Sequence, residues 1–185
     1  INDIYFMEQV VLVNELDQEL GLMEKLEAHE KALLHRAFSV FIFNKEGQLL
    51  LQQRAFDKYH SGGLWTNTCC SHPRPNETIT SAANTRLMEE MGFETKLEKI
   101  FDFIYQASFS NGLTEHEFDH VLIGHFDGEI HPNPNEVNAY IYRNMEQIES
   151  MLTNKEGKFT AWFEIVFPKM MEWWRLHNST NLLLK

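Results

Sequence analysis

A mixed α/β fold, one β-sheet flanked by helices in a single domain of residues 1–185, is what this sequence predicts. Three observations carry that expectation. Arg36–Asn44 (RAFSVFIFN) and Gln48–Arg54 (QLLLQQR) are strand-like runs joined by Lys45-Glu46-Gly47, a hairpin turn. Residues 81–91 carry Ala82, Ala83, Leu87 and Met91 at helical spacing and run into Gly92, which suits a C-terminal cap. The chain length, 185 residues, is that of one ordinary domain with a full core.

The elements follow in order. Gln9–Asn14 (QVVLVN) is β-branched and predicts a first strand. Asp17–Gly21 is a polar connection. Leu22–Leu34 sets Met23, Leu26, Leu33 and Leu34 among charged residues and predicts a loose helix. After the hairpin, Asp57–Gly63 is a loop, and its closing Gly62-Gly63 tolerates unusual backbone angles or close approach to a ligand. Leu64–Cys70 predicts a short strand. Pro73 and Pro75 make His72–Asn76 irregular, and Thr78 or Thr80 caps the helix that follows. Leu97–Phe109 predicts a strand with Phe101, Phe103, Tyr105 and Phe109 at even spacing. Ser110-Asn111-Gly112 is a turn, and Thr114–Phe126 (TEHEFDHVLIGHF) the next strand. Val137–Tyr142 gives another strand, Met145–Leu152 a short helix, and Thr160–Trp174 a closing helix rich in Phe, Met and Trp. A polar tail runs to Leu182–Leu184. There is no repeat or low-complexity tract.

Composition narrows the function classes. Hydrophobic content of 43% with 23% charged residues describes a soluble globular chain. A formal net charge of −11 argues against nonspecific nucleic-acid binding, which needs a basic footprint. Local Arg and Lys can still receive a small anion. The only cysteines, Cys69 and Cys70, are adjacent, so no disulfide framework is expected. No signal peptide or membrane span is evident, and a reducing, cytoplasmic setting is the expectation.

Polar residues gather in a few places. Thr66–His72 (TNTCCSH) sets a possible acid or nucleophile, Cys70, two residues before a possible metal ligand, His72. Glu115 and Glu117 lie two apart on a predicted strand and so face one way. Two such carboxylates repel unless a cation or a shared proton joins them. With His29 and His35 they form a mixed imidazole–carboxylate set of the kind zinc or manganese takes. Read alone, His29 and His35 are equally surface residues. On the predicted helix Arg86 shares a face with Glu89 and Glu90. That turn could hold Mg²⁺ and a phosphate, or be an exposed ion pair. Arg54 and Lys58 bracket the loop before Gly62-Gly63, and Lys25 is a further cation.

At this point the sequence resembles a known family. Leu34-His35-Arg36-Ala37-Phe38-Ser39, Thr66-Asn67-Thr68-Cys69-Cys70-Ser71-His72-Pro73 and Glu115-His116-Glu117 are similar to segments of the type 1 isopentenyl-diphosphate isomerases, and the likeness spans roughly Val10 to Trp173. That family lies in the Nudix superfamily, which implies a Nudix-type mixed sheet sandwiched between helices. The superfamily box is eroded here. Ser71 stands for its glycine and Thr85-Arg86 for its Arg-Glu pair, while Glu77, Glu89, Glu90 and Gly92 are kept. A lost carboxylate speaks against pyrophosphohydrolase activity. Ala161 also stands where many relatives carry proline before Trp162.

The resemblance implies one divalent-metal site of His29, His35, His72, Glu115 and Glu117, holding Mn²⁺, Zn²⁺ or Mg²⁺. It implies a second metal, Mg²⁺, on Glu90. Lys25, Arg54, Lys58 and Arg86 become diphosphate contacts, and Tyr105 and Trp162 active-site aromatics. Cys70 and Glu117 become the acid–base pair, with Cys69 a packed thiol. The implied substrate is a small allylic or homoallylic diphosphate and the implied state a monomer, with no nucleic-acid or membrane partner. Two other readings remain open: a hydrolase of nucleoside diphosphate derivatives, and a non-catalytic domain with a structural metal.

Overall fold

The computed structural model describes residues 8–58, 60–109 and 111–182, with side chains of the last helix described to His177. Parts of the predicted 57–63 loop and 110–112 turn, and the tail beyond Leu182, fall outside the described residues. The elements are β1 (Gln9–Val13), β2 (Glu19–Glu24), α1 (Lys25–Glu30), β3 (His35–Phe43), β4 (Leu49–Arg54), β5 (Trp65–Thr66), β6 (Cys69–Ser71), α2 (Ile79–Met91), β7 (Glu98–Ser108), β8 (Thr114–His125), β9 (Val137–Arg143), α3 (Met145–Thr153) and α4 (Ala161–Leu182). Among the described residues no helix is long and apolar enough to cross a membrane.

Strand β3 is the hub of the sheet. It runs parallel to β8, with His35 beside Glu117, and antiparallel to β6, with Ser39 beside Cys70. β7 pairs antiparallel with β8, and β4 with β9. Both faces of β3 are covered, which explains its near-continuous apolar run. Val40 and Ile42 pack on Ala82, Ala83, Leu87 and Met91 of α2. Phe41 and Phe43 pack with Phe163, Phe167 and Met170 of α4 on the other side. Burial of each of the larger of these side chains stabilises by about 1.5–3 kcal/mol. The expected layers, helix on sheet on helix, are thus produced by period-two alternation along one strand.

Three predicted elements differ. The helix expected at Leu22–Leu34 is only Lys25–Glu30, because Leu22 and Met23 pair with Val11 and Val10 in a hairpin. Glu24 ends that strand and starts the helix, its carboxylate accepting from the Leu26 and Glu27 amides at 3.0 and 2.8 Å. The strand expected at Leu64–Cys70 is split into β5 and β6 by Asn67 and Thr68. The Thr68 hydroxyl donates to the Leu50 carbonyl at 2.6 Å and accepts from the Ile42 amide at 3.0 Å. It bridges β3 and β4 where they splay apart, a side chain standing in for ladder bonds. The closing helix runs longer than expected, to Leu182, and starts after Thr160, whose hydroxyl accepts from the Phe163 amide at 3.4 Å. That places Trp162 in its first turn.

Helix α2 begins at Thr78, which accepts from the Ser81 amide at 3.2 Å, and ends at Gly92 with φ 79°. A Cβ at Gly92 would meet the His131 carbonyl oxygen at 2.4 Å. Gly92→Ala is therefore expected to destabilise the fold by about 1–3 kcal/mol. A thermal melt checks this, and an unshifted midpoint would show that the close cap is not needed.

Candidate active site

The fold gathers the predicted residues at one cavity of about 260 Å³. Lys25, His29, Arg54, Lys58, Cys70, His72, Arg86, Glu90, Tyr105, Glu115, Glu117 and Trp162 all line it. His35 completes a cluster in its wall. His29 comes from α1, His35 from the first residue of β3, His72 from just beyond β6, and Glu117 from β8. One ligand atom from each lies within 4.8 Å of all the others. Strand register does much of this, since His35 and Glu117 are direct neighbours.

The donor set fits a divalent ion. His35 Nδ1 donates to the Leu33 carbonyl at 2.8 Å, which leaves Nε2 as a lone-pair donor facing His72 Nε2 at 3.2 Å. His72 Nε2 lies 3.0 Å from Glu117 Oε1. His29 Nε2 is buried with no hydrogen-bond partner. Burial, reinforced by the neighbouring imidazoles, lowers His29 to about 3 and His35 to about 4. Burial and the Lys25 ammonium lower His72 to about 3. Three neutral imidazoles and one carboxylate converging on a point are a ligand set for an ion of the zinc or manganese class.

Glu115, the fifth predicted ligand, stands outside that four-residue cluster and is joined to it through Tyr105. The Tyr105 hydroxyl lies 2.7 Å from Glu117 Oε2 and 3.1 Å from Glu115 Oε2. One phenolic proton cannot serve both contacts. Burial and the neighbouring Glu117 push the Glu115 carboxyl well up. Burial likewise holds the Tyr105 phenol and the Cys70 thiol in their protonated forms.

A second polar group sits across the cavity, on α2. Arg86 bonds Glu89 at 2.5 Å and Glu90 at 2.6 Å. The other Glu90 oxygen accepts from the Gln52 side chain at 2.9 Å, and Gln52 is itself held by the Thr68 carbonyl. Lys58 pairs with Glu136, which also lies 3.6 Å from Arg86. Arg54 stands over the Trp162 ring at 5.2 Å from its centroid. Lys25 pairs with Glu8 at 3.0 Å. Cys70 faces this cavity, while Cys69, one residue earlier, is fully buried against α2.

Sequence reading missed Glu8, Ser39, His60, Ser71 and Glu136, which also line the cavity. Ser39 and Ser71 lay inside segments already singled out, and His60 lay in the Lys58 loop, but none was read as a site residue. Burial and the nearby Arg54 guanidinium lower His60 to about 4, so it is neutral.

Residues 33–163 match the family model described as the NUDIX domain. The isopentenyl-diphosphate Delta-isomerase of Pectobacterium atrosepticum is 48% identical over 173 residues, covering 94% of this chain and 97% of that protein. Its counterpart in Photobacterium profundum is 49% identical over 162 residues, covering 84% and 90%. Among solved structures, a Deinococcus radiodurans protein superposes with a TM-score of 0.69 at 19% identity, over 86% of this chain and 97% of its own. A MutT protein from Methanosarcina mazei gives 0.62 at 17% identity, over 75% and 94%. Those two likenesses speak to fold alone. By family model and by relatives matched along nearly their whole length, the chain belongs to the isopentenyl-diphosphate Delta-isomerases of the NUDIX family.

Proposed function

We propose that this protein interconverts isopentenyl and dimethylallyl diphosphate by adding a proton to one carbon of the alkene and removing one from another. The observation that carries the reading is that Cys70, Glu117, Tyr105 and Trp162 share one cavity with the cationic residues of the opposite wall. The reaction passes through tertiary carbocation character, so two acid–base groups must flank an apolar slot. Cys70 and Glu117 are that pair, and Tyr105 orients Glu117. Trp162 offers its ring to the developing charge, an attraction of about 2 kcal/mol when desolvated. It also keeps out water, which would trap the cation as an alcohol. Arg54, Lys58, Arg86 and Lys25 hold the diphosphate and so place the reacting carbons. His29, His35, His72 and Glu117, with Glu115 beside them, would hold a divalent ion that would set the acidity of the neighbouring groups, and Glu90 would hold Mg²⁺ that would help neutralise the diphosphate. The enzyme is proposed to act as a cytoplasmic monomer.

Incubation with isopentenyl diphosphate and Mg²⁺, followed by NMR, tests the reading. Dimethylallyl diphosphate without phosphate release is expected. Release of phosphate from it or from nucleotides, with no isomer formed, would favour hydrolysis instead. The metal assignment has its own check, since elemental analysis of His72→Ala should find the ion lost. Stoichiometric metal in that variant would mean the ligand set is wrong.

A further inference from the structure

Building on the isomerase reading, we propose that His60 is a positioning residue for the reaction, holding the Trp162 indole and the Glu115 carboxyl where the proton transfers need them. His60 lies in the loop between β4 and β5, yet its side chain is only 8% exposed. The loop is closely built. The Arg54 amide donates to the Leu64 carbonyl at 3.0 Å, and the Gly63 amide returns to the Arg54 carbonyl at 3.1 Å. Ser61 and Gly63 have φ of 53° and 75°. A Cβ at Gly62 would lie 2.4 Å from the Phe56 carbonyl oxygen. The backbone thus turns sharply just after His60, and the imidazole lines the cavity.

There the ring meets groups from both halves of the proposed chemistry. It stacks on Phe109, with centroids 5.0 Å apart and planes at 22°, and stands perpendicular to Trp162 at 5.8 Å. Its Nε2 lies 3.8 Å from Glu115 Oε1. The other Glu115 oxygen faces the Tyr105 hydroxyl, which reaches Glu117. A perpendicular ring contact is directional, so it fixes the plane of the indole. A cation is attracted only by an aromatic face turned toward it. Arg54 lies over the same indole and donates to the His60 carbonyl at 3.5 Å, which ties the loop backbone to the ring it positions.

The test compares His60→Ala, His60→Gln and His60→Phe with the parent. It uses kcat and KM for isopentenyl diphosphate, and binding of two probes. One probe is inorganic pyrophosphate. The other is a tertiary-ammonium diphosphate of the same skeleton, with four carbons and a protonated nitrogen where the tertiary carbon becomes positive. In His60→Ala, kcat should fall by about 10²-fold with KM nearly unchanged, the scale of a misplaced catalytic group. The ammonium probe should weaken by about tenfold more than pyrophosphate. His60→Phe should recover the ammonium probe but not all of kcat, because it restores the ring and not the nitrogen facing Glu115. His60→Gln, polar and of similar size, should show the same probe loss as Ala even where His60→Ala fails to fold. An active parent with a His60 series within about twofold of it in kcat overturns this proposal alone. So does equal weakening of both probes. An inactive parent overturns the isomerase reading and this proposal with it.

Discussion

Glu117→Gln turns over isopentenyl diphosphate more slowly by about 10⁴-fold or more, the upper end of what one acid–base group contributes. The substitution removes two functions at once. Glu117 is the only carboxylate in the four-residue ligand cluster, and one of its oxygens lies 3.0 Å from His72 Nε2. Its other oxygen accepts from Tyr105 at 2.7 Å, so the same side chain is held for proton exchange. A carboxamide keeps the shape and can still accept from Tyr105, but it has no charge to give an ion and no basic oxygen. Metal content should fall together with turnover. Glu115→Gln is the internal comparison. It stands outside the four-residue ligand cluster, so the same change there should cost far less. A Glu117→Gln variant within about tenfold of the parent would remove Glu117 from the chemistry.

Cys70→Ser is expected to lower turnover by about 10²–10⁴-fold while diphosphate binding stays close to normal. The serine hydroxyl keeps the size of the group and raises its pKa by several units, which slows proton exchange with carbon. Cys69→Ser is its control. Cys69 is fully buried among Phe38, Val40 and Leu87, so a hydroxyl there costs packing and spares the chemistry. Steady-state kinetics with melting curves for both variants separates the two. A slow Cys69→Ser beside a normal Cys70→Ser would mean that the wrong thiol has been chosen. Normal turnover in both would end a cysteine-centred mechanism.

How much of this was legible beforehand differs from element to element. β3 was plain because both its faces are buried and apolar, so its strand character needed no partner to be seen. α2 was plain because its cap at Gly92 is a local matter of backbone angle. The β2–α1 boundary was not, since Met23, Leu26 and their neighbours suit either period and the pairing with β1 decides it. The break at Asn67 and Thr68 was hidden for the same reason: it depends on where β3 and β4 separate. In the site, the residues named through Cys-Ser-His-Pro and Glu-x-Glu do meet at one cavity. Composition and spacing alone left them open, because His29, His35 and His72 come from separate segments. Glu136 had no signal, as it meets Lys58 from 78 residues away. Glu115 was grouped with Glu117 on spacing, and the strand does set them side by side, yet only Glu117 reaches into the cluster.

The central claim is that Cys70 and Glu117 each handle one proton, from opposite sides of a single bound five-carbon chain. A first-turnover reaction of isopentenyl diphosphate in heavy water, with the product read by NMR, tests it most directly. Both groups equilibrate with solvent before substrate binds, so the group that protonates the terminal carbon delivers deuterium, and the other takes away a substrate proton. The expected product is dimethylallyl diphosphate with one deuterium in a methyl group. Product carrying only the substrate's own hydrogens would contradict the account, because it would mean that one group lifts a proton from one carbon and returns it to the other.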